Sequence, residues 1–151
     1  MTVKEYYPVT RKMNYVIIMT GFTATGKSTT AKKISEYLGT AIYHSAVVRD
    51  EMGLTPAELC YEFDLKNPIF VKKVSPLVYE EMARRVKETL RIGRAAVLDA
   101  SYSFIWQRSQ VYQLAQAFNA EIYVLKCVCN NEEEIKKRLS IRKEDSKKPL
   151  N

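Results

Sequence analysis

The chain runs to 151 residues, 46% hydrophobic and 27% charged, with a formal net charge of +7. That is the length of one domain able to bury a proper core, and the composition is that of an ordinary soluble globular protein. Two classes are excluded: no apolar run approaches the ~20 residues that span a bilayer, and the three cysteines, Cys60, Cys127 and Cys129, form no even disulfide framework. Met1–Tyr7 lacks the apolar core of a signal peptide, so the expected address is the cytoplasm, with no membrane partner. The positive charge suits anionic ligands such as nucleotides. It permits nucleic acid without indicating it, because Lys136, Lys137 and Arg138 follow Glu132, Glu133 and Glu134 in the pattern of a solvated helix face.

Residues 1–14 read as an N-terminal extension to a domain over 15–151. Val3, Tyr6, Tyr7 and Val9 suit either an extra edge strand or a partly ordered arm, and Pro8 argues against a central strand. Tyr15–Met19 is a short apolar run, the pattern of a buried strand. It feeds Gly21-Phe22-Thr23-Ala24-Thr25-Gly26-Lys27-Ser28, which fits G-x-x-x-x-G-K-[ST] at every fixed position. Glycines at those places let the backbone form a nest of N–H groups around a phosphate. Lys27 would reach the β- and γ-phosphates, Ser28 would hold Mg²⁺, and the helix that follows points its positive end at the same anion. Nucleoside triphosphate binding is the expectation.

That helix is predicted over Ser28–Leu38, with Ala31, Ile34 and Leu38 on one face and Gly39 as its stop. Ala41–Ser45 reads as the second strand and Val47–Met52 as a short helix closed by Gly53. Thr55-Pro56-Ala57-Glu58, Asn67-Pro68 and Ser75-Pro76 each carry a cap followed by proline, so helical pieces are expected from Thr55, over 68–74 and over 76–92. In the last of these, Val78, Met82, Val86 and Leu90 make an apolar stripe for the sheet. Ala95–Asp99 is the third strand, apolar and ending in a carboxylate. A helix from about Phe104 carries Val111, Leu114, Ala115 and Phe118 on one face. Ile122–Cys129 is nearly continuous in apolar residues, which predicts a fourth strand covered on both faces, with Cys127 and Cys129 as buried thiols. Asn131 caps a last helix whose acids Glu132, Glu133 and Glu134 match its dipole, with Ile135 and Leu139 burying one side.

Strands alternating with helices imply an α/β fold with a mostly parallel sheet, whose ligands bind at the C-terminal strand ends. That rule gathers the phosphate loop, the end of the second strand and Asp99 into one crevice. Asp99 is placed to hold Mg²⁺, or alternatively to cap the helix beginning near Ser103. Arg49, Arg108, Arg138 and Arg142 are the candidate cations for stabilising charge on a transferring phosphoryl group. Tyr61, Phe63 and Trp106 could stack on a base or sugar ring or pack in the core.

On these residues the chain resembles the zeta-toxin-like, or AAA_33-type, small P-loop kinases, kin to polynucleotide 5′-kinase, gluconate kinase and chloramphenicol phosphotransferase. The resemblance runs from Tyr15 to about Arg142. It rests on the phosphate loop with Thr29 following, Ser45-x-x-x-Arg49, Val97-Leu98-Asp99-Ala100-Ser101, Arg108, and Arg138-Leu139-x-x-Arg142. It implies a three-layer P-loop NTPase fold with strand order 2-3-1-4, and transfer of the γ-phosphate of ATP to a hydroxyl of a small molecule or a nucleic-acid end. Two departures stand out. Many members carry an Asp, acting as base, where this chain has Ala46; the expectation is that Asp50, Glu51, Asp64 or Asp99 substitutes, that the base is dispensable in a loose transition state, or that activity is weak or absent. Members usually continue into the rest of a lid and a fifth strand, and this sequence stops before them, as a truncated product or a reduced kinase would. A nucleotide-binding module without phosphotransfer is therefore the alternative expectation, while a GTPase switch lacks its Asn-Lys-x-Asp motif.

Overall fold

The computed structural model describes residues 14–54 and 74–145. The N-terminal arm, the helical pieces expected from Thr55 and over 68–73, and Cys60, Tyr61, Phe63 and Asp64 lie outside the described residues, as does the polar end from Ser146.

Among the described residues four strands form one parallel sheet: β1 (Tyr15–Thr20), β2 (Ala41–His44), β3 (Ala96–Asp99) and β4 (Glu121–Lys126). Their order is β2-β3-β1-β4, as expected for the fold. Five helices accompany them among the described residues, α1 (Lys27–Leu38), α2 (Ser45–Glu51), α3 (Ser75–Arg91) and α4 (Ile105–Ala117) between strands and α5 (Glu132–Asp145) after the last. Successive strand residues point to opposite faces, so β1 divides its apolar run between two cores. Val16 and Ile18 join Ala96 and Leu98 under α3 and α4, where Val78, Met82, Val86, Leu90 and Val111 are buried. Ile17 and Met19 join Val97 on the other face, under Ala31, Ile34 and Leu38 of α1. Helices thus cover both faces, the three-layer arrangement. Each buried member of the α3 stripe contributes about 1.5–3 kcal/mol of apolar burial, as an upper figure.

Polar ties fix the ends of the elements. The Asn14 side-chain amide donates to the Phe118 carbonyl at 2.6 Å, joining the entry of β1 to the exit of α4. Asn131 Oδ1 accepts the Glu134 N–H at 3.1 Å and caps α5 as expected. Gln107 caps α4, its Oε1 accepting the Phe104 N–H at 3.0 Å.

Three expectations change. β4 is not covered on both faces: Tyr123 is 49% exposed, Val124 45% and Leu125 39%. It is an edge strand paired with β1 alone among the described residues, and α1 and α4 leave most of its surface open. Leu139 is likewise exposed, because α5 stands off the sheet instead of lying on it. Cys127 and Cys129 follow the strand and are half-buried thiols. Smaller shifts occur at α2, which starts at Ser45 because His44 is the last extended residue.

Candidate active site

The phosphate loop spans the turn from β1 into α1. Gly21 has φ +134°, and a Cβ there would meet the Cys127 carbonyl oxygen at 2.3 Å, so the residue that opens the loop must be glycine. The Cys127 N–H donates to the Thr20 carbonyl at 2.8 Å, which is why the end of β4 lies so close. Ala24 (φ 64°) and Gly26 (φ 91°) are both left-handed, the backbone state in which successive amides form an anion nest. For Ala24, which carries a Cβ, that state costs about 1–2 kcal/mol. The Lys27 ammonium donates to the Phe22 carbonyl at 2.7 Å and so spans the loop. Burial pushes its pKa down; Asp99 opposes the shift and Arg142 adds to it. Ser28 exposes its hydroxyl on the first turn of α1. A nest, a half-buried ammonium, a hydroxyl and a helix N-terminus are the donor set a triphosphate with Mg²⁺ requires.

Asp99, 5% exposed, ends β3. His44 ends β2, and the parallel register pairs the two residues directly. Their side chains meet at 2.6 Å, His44 Nδ1 to Asp99 Oδ2. An ionised carboxylate only accepts, so Nδ1–H donates. The second expectation for Asp99, a helix cap, gives way to this contact: α4 begins six residues beyond Asp99, at Ile105, and is capped by Gln107.

Both residues line a cavity of about 770 Å³ that also takes in Gly21, Phe22, Thr23, Ala24, Lys27 and Ser28. Its size suits a small-molecule site. Thr25, Gly26 and Thr29 are in or beside the loop but do not line it. Arg49 lines the cavity and is 7% exposed. Arg142 lines it from α5. Arg138 instead latches that helix to the loop, donating to the Ala24 carbonyl at 3.0 Å and to Glu134 at 2.9 Å. Arg108 is turned away: it donates to the Tyr102 carbonyl and does not line the cavity. Of the acids near Ala46, Asp50 and Glu51 are outside the cavity, and Glu51 pairs with Arg85 at 2.5 Å. Ala46 itself is exposed at the wall.

The family AAA_33, described as an AAA domain, matches residues 16–151. The chain belongs to this family. No curated protein matches the sequence. Among solved structures, a protein provisionally assigned as a kinase from Chloroflexus aurantiacus J-10-fl is similar, with TM-score 0.67 and 14% identity over 91% of this chain and 71% of that one. A gluconokinase from Sinorhizobium meliloti 1021 gives TM-score 0.61 and 15% identity over 89% and 68%. The protein APE1195 gives TM-score 0.61 and 14% identity over 89% and 74%. At these identities the likeness is one of fold, and it agrees with the AAA_33 sheet order and helix placement.

Within this AAA_33 domain the sequence reading overlooked His44, the chain's only histidine, and Tyr79 and Phe104, which also line the cavity. A signal for His44 was present. It stands next to last in the predicted second strand, near the end that corresponds to Asp99 in the third, and neighbouring parallel strands bring such ends together. Tyr79 and Phe104 carried no comparable signal, since apolar periodicity explains them equally well as core.

Proposed function

We infer that this cavity is the active site of an ATP-dependent phosphotransferase acting on an alcohol. The observation that carries the reading is one cavity shared by Lys27 and Ser28 of the phosphate loop, the buried Asp99 with its half-exposed partner His44, and a largely apolar remainder. Lys27 and the loop amides would hold the β- and γ-phosphates, and Ser28 and Asp99 would hold Mg²⁺. ATP supplies the phosphoryl group, and the cation offsets its charge. Arg142 and Arg49 add positive charge at the cavity wall, Arg138 keeps α5 against the loop, and Arg108 braces the Tyr102 carbonyl in the segment between β3 and α4. His44 occupies one carboxylate oxygen and fixes the Asp99 rotamer. Phosphoryl transfer asks for positioning and electrostatic stabilisation more than for covalent chemistry, so a strong base is not essential.

A second reading, nucleotide binding without transfer, is favoured by Ala46: among the described residues, Asp99 is the one carboxylate that lines the cavity. Incubation with γ-labelled ATP, Mg²⁺ and a panel of nucleosides, sugars and 5′-hydroxyl oligonucleotides separates the two. The phosphotransferase reading predicts labelled product from at least one class. Tight nucleotide binding with no labelled product from any of them leaves the binding module as the function.

A further inference from the structure

Beyond the residues of the phosphate loop, the cavity lining includes several aromatic rings. Phe104 and Trp106, at the start of α4, are 45% and 39% exposed, and both line the cavity. Tyr79 of α3 lies behind Trp106, edge to face at 5.6 Å and 78°, and contacts Tyr102 in the same way at 5.0 Å and 79°. The Tyr79 hydroxyl is held in turn, 3.2 Å from Ser101 Oγ and 3.4 Å from the Tyr102 N–H it accepts. Trp106 thus packs against a ring that Tyr102 and Ser101 hold in turn, which supports its orientation from one side. Val78 and Ala100 continue the apolar wall, with hydroxyls of Ser75, Ser101 and Ser103 at intervals.

This surface is poorly matched to a polyol or a sugar acid. Such ligands need a hydrogen-bond partner for each hydroxyl and a cation for the carboxylate. Among the described residues, the lysines and arginines that line the cavity are Lys27, Arg142 and the buried Arg49, and Arg142 is close enough to Lys27 to lower its pKa. Partly exposed, pre-oriented aromatics suit a flat ring, which stacks with little loss of side-chain freedom. Resting on the phosphotransferase reading for its reaction, we propose that the Tyr79–Phe104–Trp106 wall selects an acceptor alcohol carried on an aromatic or heteroaromatic ring, with the serine hydroxyls contacting its polar edge.

Trp106 is the only tryptophan in the chain, so its emission reports on this wall directly. The protein is first saturated with Mg²⁺ and a non-hydrolysable ATP analogue, so that the nucleotide's own base is already placed. It is then titrated with adenosine, cytidine, 2-phenylethanol, gluconate and sorbitol. Saturable quenching by ring-bearing alcohols at concentrations at least tenfold below those of gluconate or sorbitol is expected. Nucleosides binding more tightly than 2-phenylethanol identify the ring as a base, and the reverse order identifies a simpler aryl alcohol. Calorimetry on Trp106→Ala should show at least a tenfold loss for the ring alcohol and no change for the ATP analogue, with Trp106→Phe recovering most of it. Gluconate or sorbitol binding as well as the ring alcohols overturns the proposal. So does a Trp106→Ala protein that holds both the analogue and the ring alcohol unchanged. Ring-alcohol binding without any phosphate transfer removes the phosphotransferase reading and leaves the ring preference standing.

Discussion

His44 and Asp99 illustrate how much a single register pair decides. Asp99 is 5% exposed, and His44 donates to it at 2.6 Å. Removing a donor from a buried carboxylate costs about 1–3 kcal/mol. His44→Leu should lose stability of that order in a urea melt. His44→Asn, whose amide N–H can stand where Nδ1–H does, should recover much of it. A Leu variant as stable as the parent means that the contact contributes nothing. Tyr102 presents the opposite case. It is fully buried at φ 44°, and its hydroxyl finds no partner among the described residues; burial pushes its pKa well up. Tyr102→Phe removes an unsatisfied hydroxyl and keeps the ring contact with Tyr79, so stability should hold or rise by about 1 kcal/mol. A fall in the melting temperature would reveal a bond to that oxygen.

Among the elements, α3 links sheet and surface. Its buried stripe faces β1 and β3, and on its outer side Glu81 accepts from Arg84 at 2.7 Å and from Arg85 at 2.9 Å. Arg85 reaches on to Glu51 of α2. The hydrogen bonds from Arg84 and Arg85 hold the Glu81 carboxyl down at about 2 from its usual 4.5. A depressed carboxylate stabilises the fold at pH above about 4.5, and the contribution fades as pH falls through about 2. Solvent screens the cluster, so about 1 kcal/mol is the expected size. Glu81→Gln should cost that much at pH 7 and progressively less as pH falls from about 4.5 towards 2, measured by denaturant melts; a pH-independent cost would point to packing instead. The stripe of α3 was legible because a 3.6-residue period survives wherever one face is buried. The exposure of β4 was not. Its apolar run resembles a central strand, and sequence alone does not say whether a neighbour covers each face.

At the scale of the whole molecule, sheet order and layer arrangement were readable because alternating strands and helices admit few topologies. The phosphate loop was readable because its chemistry fixes residue types at fixed spacing. The remainder of the cavity was less so, since it is assembled from the ends of β2, β3, α3 and α4, which no local pattern joins. Arg142 and Arg138 illustrate the limit: they lie four residues apart on one helix, yet the first lines the cavity and the second latches onto Ala24. The central claim is that Gly21–Ser28 holds the phosphates of ATP. Calorimetric titration of the wild-type protein and Lys27→Ala with ATP and Mg²⁺ tests it most directly. One-site binding that weakens at least about 100-fold in the variant, equivalent to about 2.7 kcal/mol, is the predicted result. Equal affinity in the two proteins, with the variant as well folded as the parent, would contradict it.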